Sequence, residues 1–258
     1  MAIGDYIKNL YDEKGFSYQS MRDKNTALGL LANNIELPSM LSTVGKIKGK
    51  KLLDVGCGGG IHIHEYLKKQ AIVSGVDQSK TMIALAKNKN PLVDLKVAKV
   101  EKLPFQKSTF DIVTSSLVVD YIDNLEKAFL EVARVLKKNG LFIFSDRSVF
   151  WNSMKSFELD GFHGRGIGYF IDNKSGEVIN FGDGVNEYIK KSEWFKGWKN
   201  KYHKRTFSTY IQALNKAGFV LIDYIDCKPV SSFKKKFPYE YSVYSNFPVF
   251  SIYVCKKK

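Results

Sequence analysis

The chain has 258 residues and a formal net charge of +14, from 40 basic and 26 acidic side chains. Its 44% hydrophobic content is typical of globular proteins and excludes disorder as the main state. No apolar run reaches the ~20 residues that a membrane-spanning helix needs. Residues 1–16 contain no apolar signal core, so we expect a cytoplasmic protein without a membrane partner. Three widely separated cysteines without a C-x-x-C pair predict neither a disulfide framework nor a metal site.

Helices and strands alternate after a polar, helical segment at residues 1–50. The predicted elements are, in chain order, a strand at 52–55, a helix at 61–69, a strand at 71–76 that ends at Asp77, a helix at 79–88 with Ser79 as N-cap, strands at 95–97 and 110–115, a helix at 124–136, a turn at Asn139-Gly140 and a strand at 141–145. This alternation predicts parallel β-α-β units and a doubly wound α/β sheet.

The alternation stops between residues 147 and 204, in a stretch rich in glycine and aromatic residues. The stretch is too long for a plain connection, so we interpret it as a lid-like insertion that covers a site. Its aromatic residues are Trp151, Phe157, Phe162, Tyr169, Phe170, Phe181, Tyr188, Trp194 and Trp198. A helix at 207–217 and strands at 219–226 and 249–255 follow. We expect these two strands to pair antiparallel, because no crossover helix is evident between them.

These elements predict a Rossmann-like sheet of seven strands with helices on both faces. The sheet is expected to be mostly parallel, with the last strand antiparallel and the insertion between strands five and six. The chain then divides into an N-terminal helical cap at 1–50, a core at 51–146 and 205–258, and the insertion at 147–204.

A glycine-rich loop follows the first predicted strand, in the sequence Gly56-Cys57-Gly58-Gly59-Gly60. Glycines allow a tight turn and a close approach of the backbone to a ligand, and the helix that follows offers free N–H groups to an anion. Asp77 ends the next strand about 20 residues after Gly56, where a carboxylate can accept both ribose hydroxyls of an adenosine. Dinucleotide-binding folds usually carry G-x-G-x-x-G, so this spacing better suits a ligand whose carboxylate lies near the loop.

The sequence at this loop resembles motif I of the class I S-adenosylmethionine-dependent methyltransferases. The resemblance continues at Gly75–Ser79, Leu103–Phe105 with Phe110–Val113, Glu131–Lys137 with Gly140, and Tyr202–Phe219, the last of which is similar to a bacterial branch that acts on small molecules. It implies S-adenosyl-L-methionine as cofactor, S-adenosyl-L-homocysteine as product and a small-molecule acceptor.

The resemblance also implies a set of cofactor contacts. These are Asp54 at the amino end of the methionine, the backbone of Gly56, Cys57 and Gly58 along it, Asp77 and Gln78 at the ribose, Met82 against the adenine, Val100 and Glu101 beside the adenine ring, and Ser115 and Ser116 at the methionine ammonium. Tyr11, Tyr18 and Arg22 are candidates to fold over the cofactor from the N-terminal segment.

The chain departs from the family pattern at Lys99, where the family often has an aspartate that accepts from the adenine amine. Lysine cannot accept a hydrogen bond, so Glu101 or a backbone carbonyl takes that role, or packing alone holds the adenine. The family also often has histidine after strand four, where this chain has Asp120-Tyr121.

Catalysis needs a general base only if the acceptor arrives protonated. The candidates are Asp120, Tyr121 and His203. His62 and His64 point to different sides of a helix start, so we interpret them as solvated or loop-packing residues rather than as metal ligands.

The surplus of positive charge keeps a second class of acceptor open. Residues 190–236 contain 12 basic and 3 acidic residues, which keeps RNA or another anionic polymer possible as acceptor. Only five of the 40 basic residues are arginine, and a lysine-rich excess is more often a solvated surface, so nucleic acid is not favoured. The sequence is also compatible with a nicotinamide-dependent oxidoreductase and with a non-catalytic cofactor-binding protein.

Overall fold

The computed structural model describes residues 1–24, 26–159, 162–171, 174–175, 177–193 and 197–258. The strands, in chain order, are β1 Lys51–Val55, β2 Ile72–Asp77, β3 Asp94–Val97, β4 Phe110–Ser116, β5 Leu136–Arg147, β6 Lys155–Leu159, β7 Phe162–Gly166, β8 Gly168–Ile171, β9 Val178–Phe181, β10 Tyr188–Glu193, β11 Lys199–Lys204, β12 Phe219–Asp226 and β13 Phe250–Lys257. The helices are α1 Ile3–Asp23, α2 Ala27–Leu31, α3 Leu37–Val44, α4 Ile61–Lys68, α5 Lys80–Lys89, α6 Leu125–Val135, α7 Val149–Ser153, α8 Phe207–Lys216, α9 Phe233–Lys236 and α10 Pro238–Asn246.

Seven strands of the described chain form one sheet in the order β12-β13-β5-β4-β1-β2-β3. The pairs among β1 to β5 are parallel, whereas β13 runs antiparallel to both of its neighbours. This arrangement confirms the predicted Rossmann-like sheet and its antiparallel last strand. The order reverses between β1 and β4, and the crevice at the carboxyl ends of these strands is where such sheets bind ligands.

Successive residues of the central strands point to opposite sides of the sheet, so the apolar runs give both faces apolar side chains. Helices cover each of these faces. Leu53, Val113 and Phe142 pack in one cluster with residues of α6 and α8. Leu52, Ile112 and Ile143 pack in a second cluster with residues of α3, α4 and α5. The continuous apolar run at residues 141–144 of β5 therefore reflects burial on both faces.

Two helices beside the candidate edge of the sheet begin at side-chain caps. Ser79 caps α5 by accepting from Met82 N, as predicted. Asn124 caps α6 in the same manner, accepting from Lys127 N at 2.9 Å. Each cap fixes the loop just before a helix, which here is a loop at the ligand-binding edge of the sheet.

The structure differs from the sequence prediction in two regions of the chain. β5 begins at Leu136 instead of 141, and the predicted turn at Asn139 survives as a left-handed residue, φ 61°, inside the strand. The pairing of β4 with β5 shifts register between Phe110 and Ile112 to accommodate it. Between β12 and β13, where no helix was evident, the chain forms α9 and α10. None of the residues of α10 is buried, so this helix carries no apolar periodicity to reveal it.

The segment at 147–204, predicted as the insertion, contains α7 and three antiparallel pairs, β6–β7, β8–β9 and β10–β11. Its role as a lid stays a prediction. The β10–β11 pair places alternate residues on the side of the core. Of the aromatic residues predicted to line the insertion, Trp194 lies outside the described residues, as do the side chains of Phe157, Phe162, Tyr169, Phe170 and Phe181. Among the helices that the structure describes, none has the length and apolar character required to cross a membrane.

Candidate functional site

A cavity of about 410 Å³ opens at the carboxyl ends of the central strands. Its walls come from the loops after β1 to β5, from α1 and from the insertion. The volume falls in the range of small-molecule sites, and the position is that of ligand sites in doubly wound sheets. The cavity is therefore the candidate site of this chain.

The loop after β1 follows the cavity wall through glycines in left-handed conformations. Gly56, Gly58 and Gly60 have φ of 71°, 51° and 78°. A Cβ on Gly56 would lie 2.3 Å from Val118 Cγ2, whereas a Cβ on Gly58 would meet no atom within 4 Å. The first glycine is thus needed for packing, and the second leaves the backbone open to a ligand.

Asp77 lies against this loop at the end of β2. Its Oδ2 accepts from Gly58 N at 3.0 Å, and its Oδ1 accepts from Ser79 N at 2.9 Å. Burial raises the pKa of Asp77 to about 6, although these backbone donors act in the opposite direction. A carboxylate has about four acceptor positions, so two remain for a ligand.

Nine of the residues predicted to contact the cofactor line the cavity: Gly56, Cys57, Gly58, Asp77, Gln78, Met82, Val100, Glu101 and Ser116. Asp54 and Ser115 do not line it, because both side chains are buried beneath it. Asp54 accepts from Thr114 Oγ1 at 3.0 Å, and burial raises its pKa to about 6. The contact between Asp54 and the cofactor stays a prediction. The buried position of Asp54 outside the cavity lining does not favour this contact.

Helix α1 covers the cavity and brings Tyr11, Tyr18 and Arg22 into its lining, as expected from the sequence. Arg22 is buried, and its Nη1 atom has no hydrogen-bond partner among the described residues. A buried guanidinium nitrogen without a partner is costly unless a ligand satisfies it. Arg22 therefore marks a place for an anionic group.

The departure at Lys99 has a structural explanation. Lys99 Nζ donates to Asp5 Oδ1, and this contact raises the pKa of Lys99. Asp123 holds the same helix at its start, accepting from Ile3 N at 3.0 Å and Gly4 N at 2.9 Å. Lys99 thus fastens α1 over the cavity, while Glu101 remains in the lining.

The three candidate bases lie in different surroundings. Tyr121 lines the cavity, and its hydroxyl oxygen accepts from Asn200 Nδ2 at 3.1 Å and Arg147 Nη2 at 3.4 Å. Burial raises the pKa of Tyr121 well above its ordinary value, so the side chain stays protonated at neutral pH. These contacts favour Tyr121 as a hydrogen-bond donor over Tyr121 as a base.

Asp120 and His203 do not line the cavity. Asp120 is fully buried and pairs with Arg147. His203 points away from the core side of β11, where its neighbour Tyr202 lines the cavity, and its Nε2 lies 3.2 Å from Asp123 Oδ1. Direct proton transfer by either residue stays a prediction, and both positions favour a supporting role.

His62 corrects the interpretation of a solvated or loop-packing histidine. It is buried, lines the cavity, and its Nε2 lies 3.0 Å from Glu36 Oε2. Glu36 belongs to a π-helical turn at Ala32–Glu36 that has no recognisable sequence pattern. Within the described residues, no group of three His, Cys, Asp or Glu side chains could hold a metal ion.

Comparison with known proteins places these features in a family. Residues 53–144 match the family described as Methyltransferase domain. A protein of Haemophilus influenzae described as uncharacterized is 32% identical over 225 residues, which cover 82% of this chain and 83% of the relative. The ubiquinone biosynthesis O-methyltransferase of Pelagibacter ubique is 38% identical over 99 residues, which cover 37% of this chain and only 41% of that protein. A solved structure described as a putative S-adenosylmethionine dependent methyltransferase from Listeria monocytogenes superposes with a TM-score of 0.69 at 26% identity, covering 89% of this chain and 99% of that one.

Proposed function

The chain belongs to the class I S-adenosylmethionine-dependent methyltransferase family, and from that premise we propose that it transfers the methyl group of S-adenosylmethionine to a small-molecule acceptor. The observation that carries the proposal is one cavity that joins the glycine loop and Asp77 to a second group of polar and aromatic residues from β5 and the insertion. Helix α1 and the β10–β11 pair contribute walls beside this second group. A recessed cavity of about 410 Å³ has the size of a small-molecule site.

The residues present fit the cofactor. Asp77 offers two acceptor positions to ribose hydroxyls, and Gly58 exposes backbone to the ligand. Arg22 offers its buried Nη1 atom to the methionine carboxylate. Its place is near the glycine loop, because Gln19, one helical turn before it, lies so close that a Cβ on Gly59 would be 2.0 Å from Gln19 Oε1.

The bound cofactor supplies a methyl group activated by its sulfonium. Methyl transfer is an in-line displacement, so this chain contributes mainly by orienting the acceptor and excluding water. Tyr121 has both acceptor positions of its hydroxyl oxygen used by Asn200 and Arg147, which leaves its proton for the acceptor. Asp120 holds Arg147, and Asp123 with His203 holds the start of α1 over the site.

The cofactor half of the proposal is tested by calorimetric titration with S-adenosylmethionine, S-adenosylhomocysteine and NADH. We expect micromolar binding of the first two and none of NADH. Asp77→Ala should weaken both by at least about tenfold, because charge-assisted hydrogen bonds to the ribose are lost. Asp94→Ala, which removes an exposed carboxylate from the neighbouring strand β3, should bind both normally. Preferential NADH binding would refute the assignment.

The acceptor half is tested by following methyl-labelled S-adenosylmethionine into separated small-molecule and RNA fractions of a cell extract. We expect label in the small-molecule fraction, at a rate that changes little with salt. Label in RNA, with a rate that falls steeply between about 50 and 200 mM salt as counterion release requires, would replace the small-molecule acceptor with an anionic polymer.

A further inference from the structure

The insertion end of the cavity differs in charge from the cofactor end. Among the acidic lining residues, Asp77 ends β2, Glu101 follows β3 and Asp123 follows β4. At the insertion end the cationic lining residues are Arg147, from the end of β5, and Arg165, from β7. The cofactor end also carries Lys8, Arg22 and Lys99, of which Lys8 pairs with Asp12 and Lys99 with Asp5. The strand order places β5 on the other side of the reversal point from β2 and β3, so Arg147 faces the cavity from the side opposite Asp77 and Glu101.

Arg165 is held in place by neutral groups. Its guanidinium carbon lies 4.4 Å from the centre of the Trp151 ring, and its Nη2 donates to Trp151 O at 3.2 Å and Met154 O at 3.4 Å. Lys190 donates to Asn152 O of the same turn. Among the residues that the structure describes, no carboxylate forms an ion pair with Arg165 or Lys190; the nearby Asp183 pairs with Lys204 instead.

Lys190 lies beside this end of the cavity, where it donates to the lining residue Asn152, although Lys190 itself lines a neighbouring cavity. Burial lowers the pKa of Lys190, and the neighbouring cations Arg165, Lys204 and Arg147 lower it further, whereas Asp183 raises it. A group of like charges at the edge of a cavity is unfavourable until an anion joins it. This end of the cavity is therefore disposed to bind negative charge.

Arg147 contributes oriented donors rather than net charge. It pairs with the buried Asp120, and its guanidinium carbon lies 4.0 Å from the centre of the Tyr202 ring. This stacking fixes the plane of the guanidinium and the direction of its N–H groups. Since Arg147 Nη1 pairs with Asp120 and Nη2 donates to Tyr121, Arg165 supplies the forked donors of the kind that recognise carboxylates, and Arg147 flanks it.

An independent feature lies on the β10 wall of the cavity. The Ser192 hydroxyl is buried and has no hydrogen-bond partner among the described residues. Ser192 and Lys190 occupy alternate positions of β10 and so share the side that faces the core. A buried hydroxyl that lines a cavity without a partner calls for a polar ligand atom.

We propose that the methyl acceptor is an organic carboxylate whose charged end lies against Arg147, Arg165 and Ser192, and whose apolar part packs on Trp151 and Tyr202. This inference rests on the proposed methyltransferase function and names its substrate class. Phe250, which lines the same end of the cavity, adds to the apolar wall.

The test uses the full-length protein saturated with S-adenosylhomocysteine and a panel of aryl and alkyl carboxylic acids, each paired with its primary amide. Binding is measured by calorimetry and by ligand-observed NMR. We expect acids to bind at least about tenfold more tightly than their amides, because only the acid forms charge-assisted hydrogen bonds with the Arg165 fork. Arg165→Gln should abolish this preference, and Arg165→Lys should retain part of it.

Lys155→Gln provides the matched control, since it removes one positive charge from an exposed site of the same insertion outside this cavity. It should keep the full acid preference. If a variant retains its affinity for S-adenosylhomocysteine, the variant is folded. If the unmodified protein does not bind S-adenosylhomocysteine, the proposed methyltransferase function is refuted instead. If the cofactor product binds but no acid does, or acids and amides bind alike, the carboxylate proposal is overturned.

Discussion

Glu36 and His62 form a buried ion pair beside the cavity, with Glu36 Oε2 3.0 Å from His62 Nε2. The other oxygen of Glu36 accepts from the hydroxyls of Ser116 and Ser145, each at 2.6 Å. Burial acts to raise the pKa of Glu36, but His62 and the two hydroxyls outweigh it and lower the pKa to about 2. One carboxylate thus joins the N-terminal segment to α4 and to the ends of β4 and β5.

Glu36→Gln should destabilise the protein by about 3–5 kcal/mol at pH 6, because it leaves His62 buried without its counter-charge. The measurement is the free energy of unfolding in urea. Glu65→Gln is the matched control, since Glu65 pairs with the exposed Lys68 and should contribute less than about 1 kcal/mol. If the two variants lose the same free energy of unfolding, the buried pair stabilises the protein no more than the exposed pair does.

The contribution of this pair should depend on pH in a defined window. Burial lowers the pKa of His62, but Glu36 outweighs it and the net pKa lies above the ordinary value. The stabilisation that depends on charged His62 is therefore fully present below about pH 6.5, and it is lost as the pH rises through the raised pKa of His62. The stabilisation that depends on ionised Glu36 is present above about pH 4.5, and it is lost as the pH falls toward the Glu36 pKa of about 2. The difference in unfolding free energy between the unmodified protein and Glu36→Gln should peak between about pH 4.5 and 6.5, and a flat difference up to pH 9 would contradict the ion pair.

Cofactor affinity should fall in mild acid because the pKa of Asp77 is raised by burial to about 6. Only the ionised carboxylate accepts from both ribose hydroxyls, so the dissociation constant of S-adenosylhomocysteine should rise about tenfold between pH 8 and pH 5. Calorimetry across this range measures it. Asp77→Asn should bind weakly with little pH dependence. A profile that stays steep in this variant would assign the titration to Asp54, whose pKa burial also raises to about 6.

Asp123 should hold the first turn of α1 in place over the cavity. It accepts from the backbone N–H groups of Ile3 and Gly4 and contacts His203, so Asp123→Ala removes every one of these contacts. We expect faster amide hydrogen exchange at the start of α1 and weaker S-adenosylhomocysteine binding, since α1 covers the cavity. Glu126→Ala, which loses only a surface pair with Lys216, is the control. Unchanged exchange in Asp123→Ala would mean that other contacts hold the helix.

The parts of the site that sequence could predict are those set by local patterns. The glycine loop, Asp77 and the Ser79 cap follow from residues close together in the chain, where a turn or a helix start needs particular residue types. The mostly parallel sheet with its antiparallel last strand was predictable because alternating strands and helices leave few topologies.

The remaining parts depend on contacts between distant segments. Lys99 and Asp5 are 94 residues apart, and His62 is 26 residues from Glu36, which ends a π-helical turn. No periodicity of the sequence links such pairs. His62 was therefore interpreted as a solvated or loop-packing histidine, and Lys99 only as the loss of a hydrogen-bond acceptor for the adenine amine. The side to which His203 points depends on the register of the β10–β11 pair, which a short polar strand does not specify.

Gly58→Ala should separate the backbone strain of the loop from its contact with the ligand. Gly58 and Gly49 have φ of 51° and 71°, and in both an added Cβ would meet nothing within 4 Å. Each alanine substitution should therefore cost about 1–2 kcal/mol of unfolding free energy, as left-handed backbone does for residues with a Cβ. Gly49 lies in an exposed turn before β1, whereas Gly58 lines the cavity. Calorimetry should then show weakened S-adenosylhomocysteine binding in Gly58→Ala alone. Equal affinity in both variants would mean that the cofactor does not approach the backbone at Gly58, and would move the ligand toward Asp77 and the lining after β3.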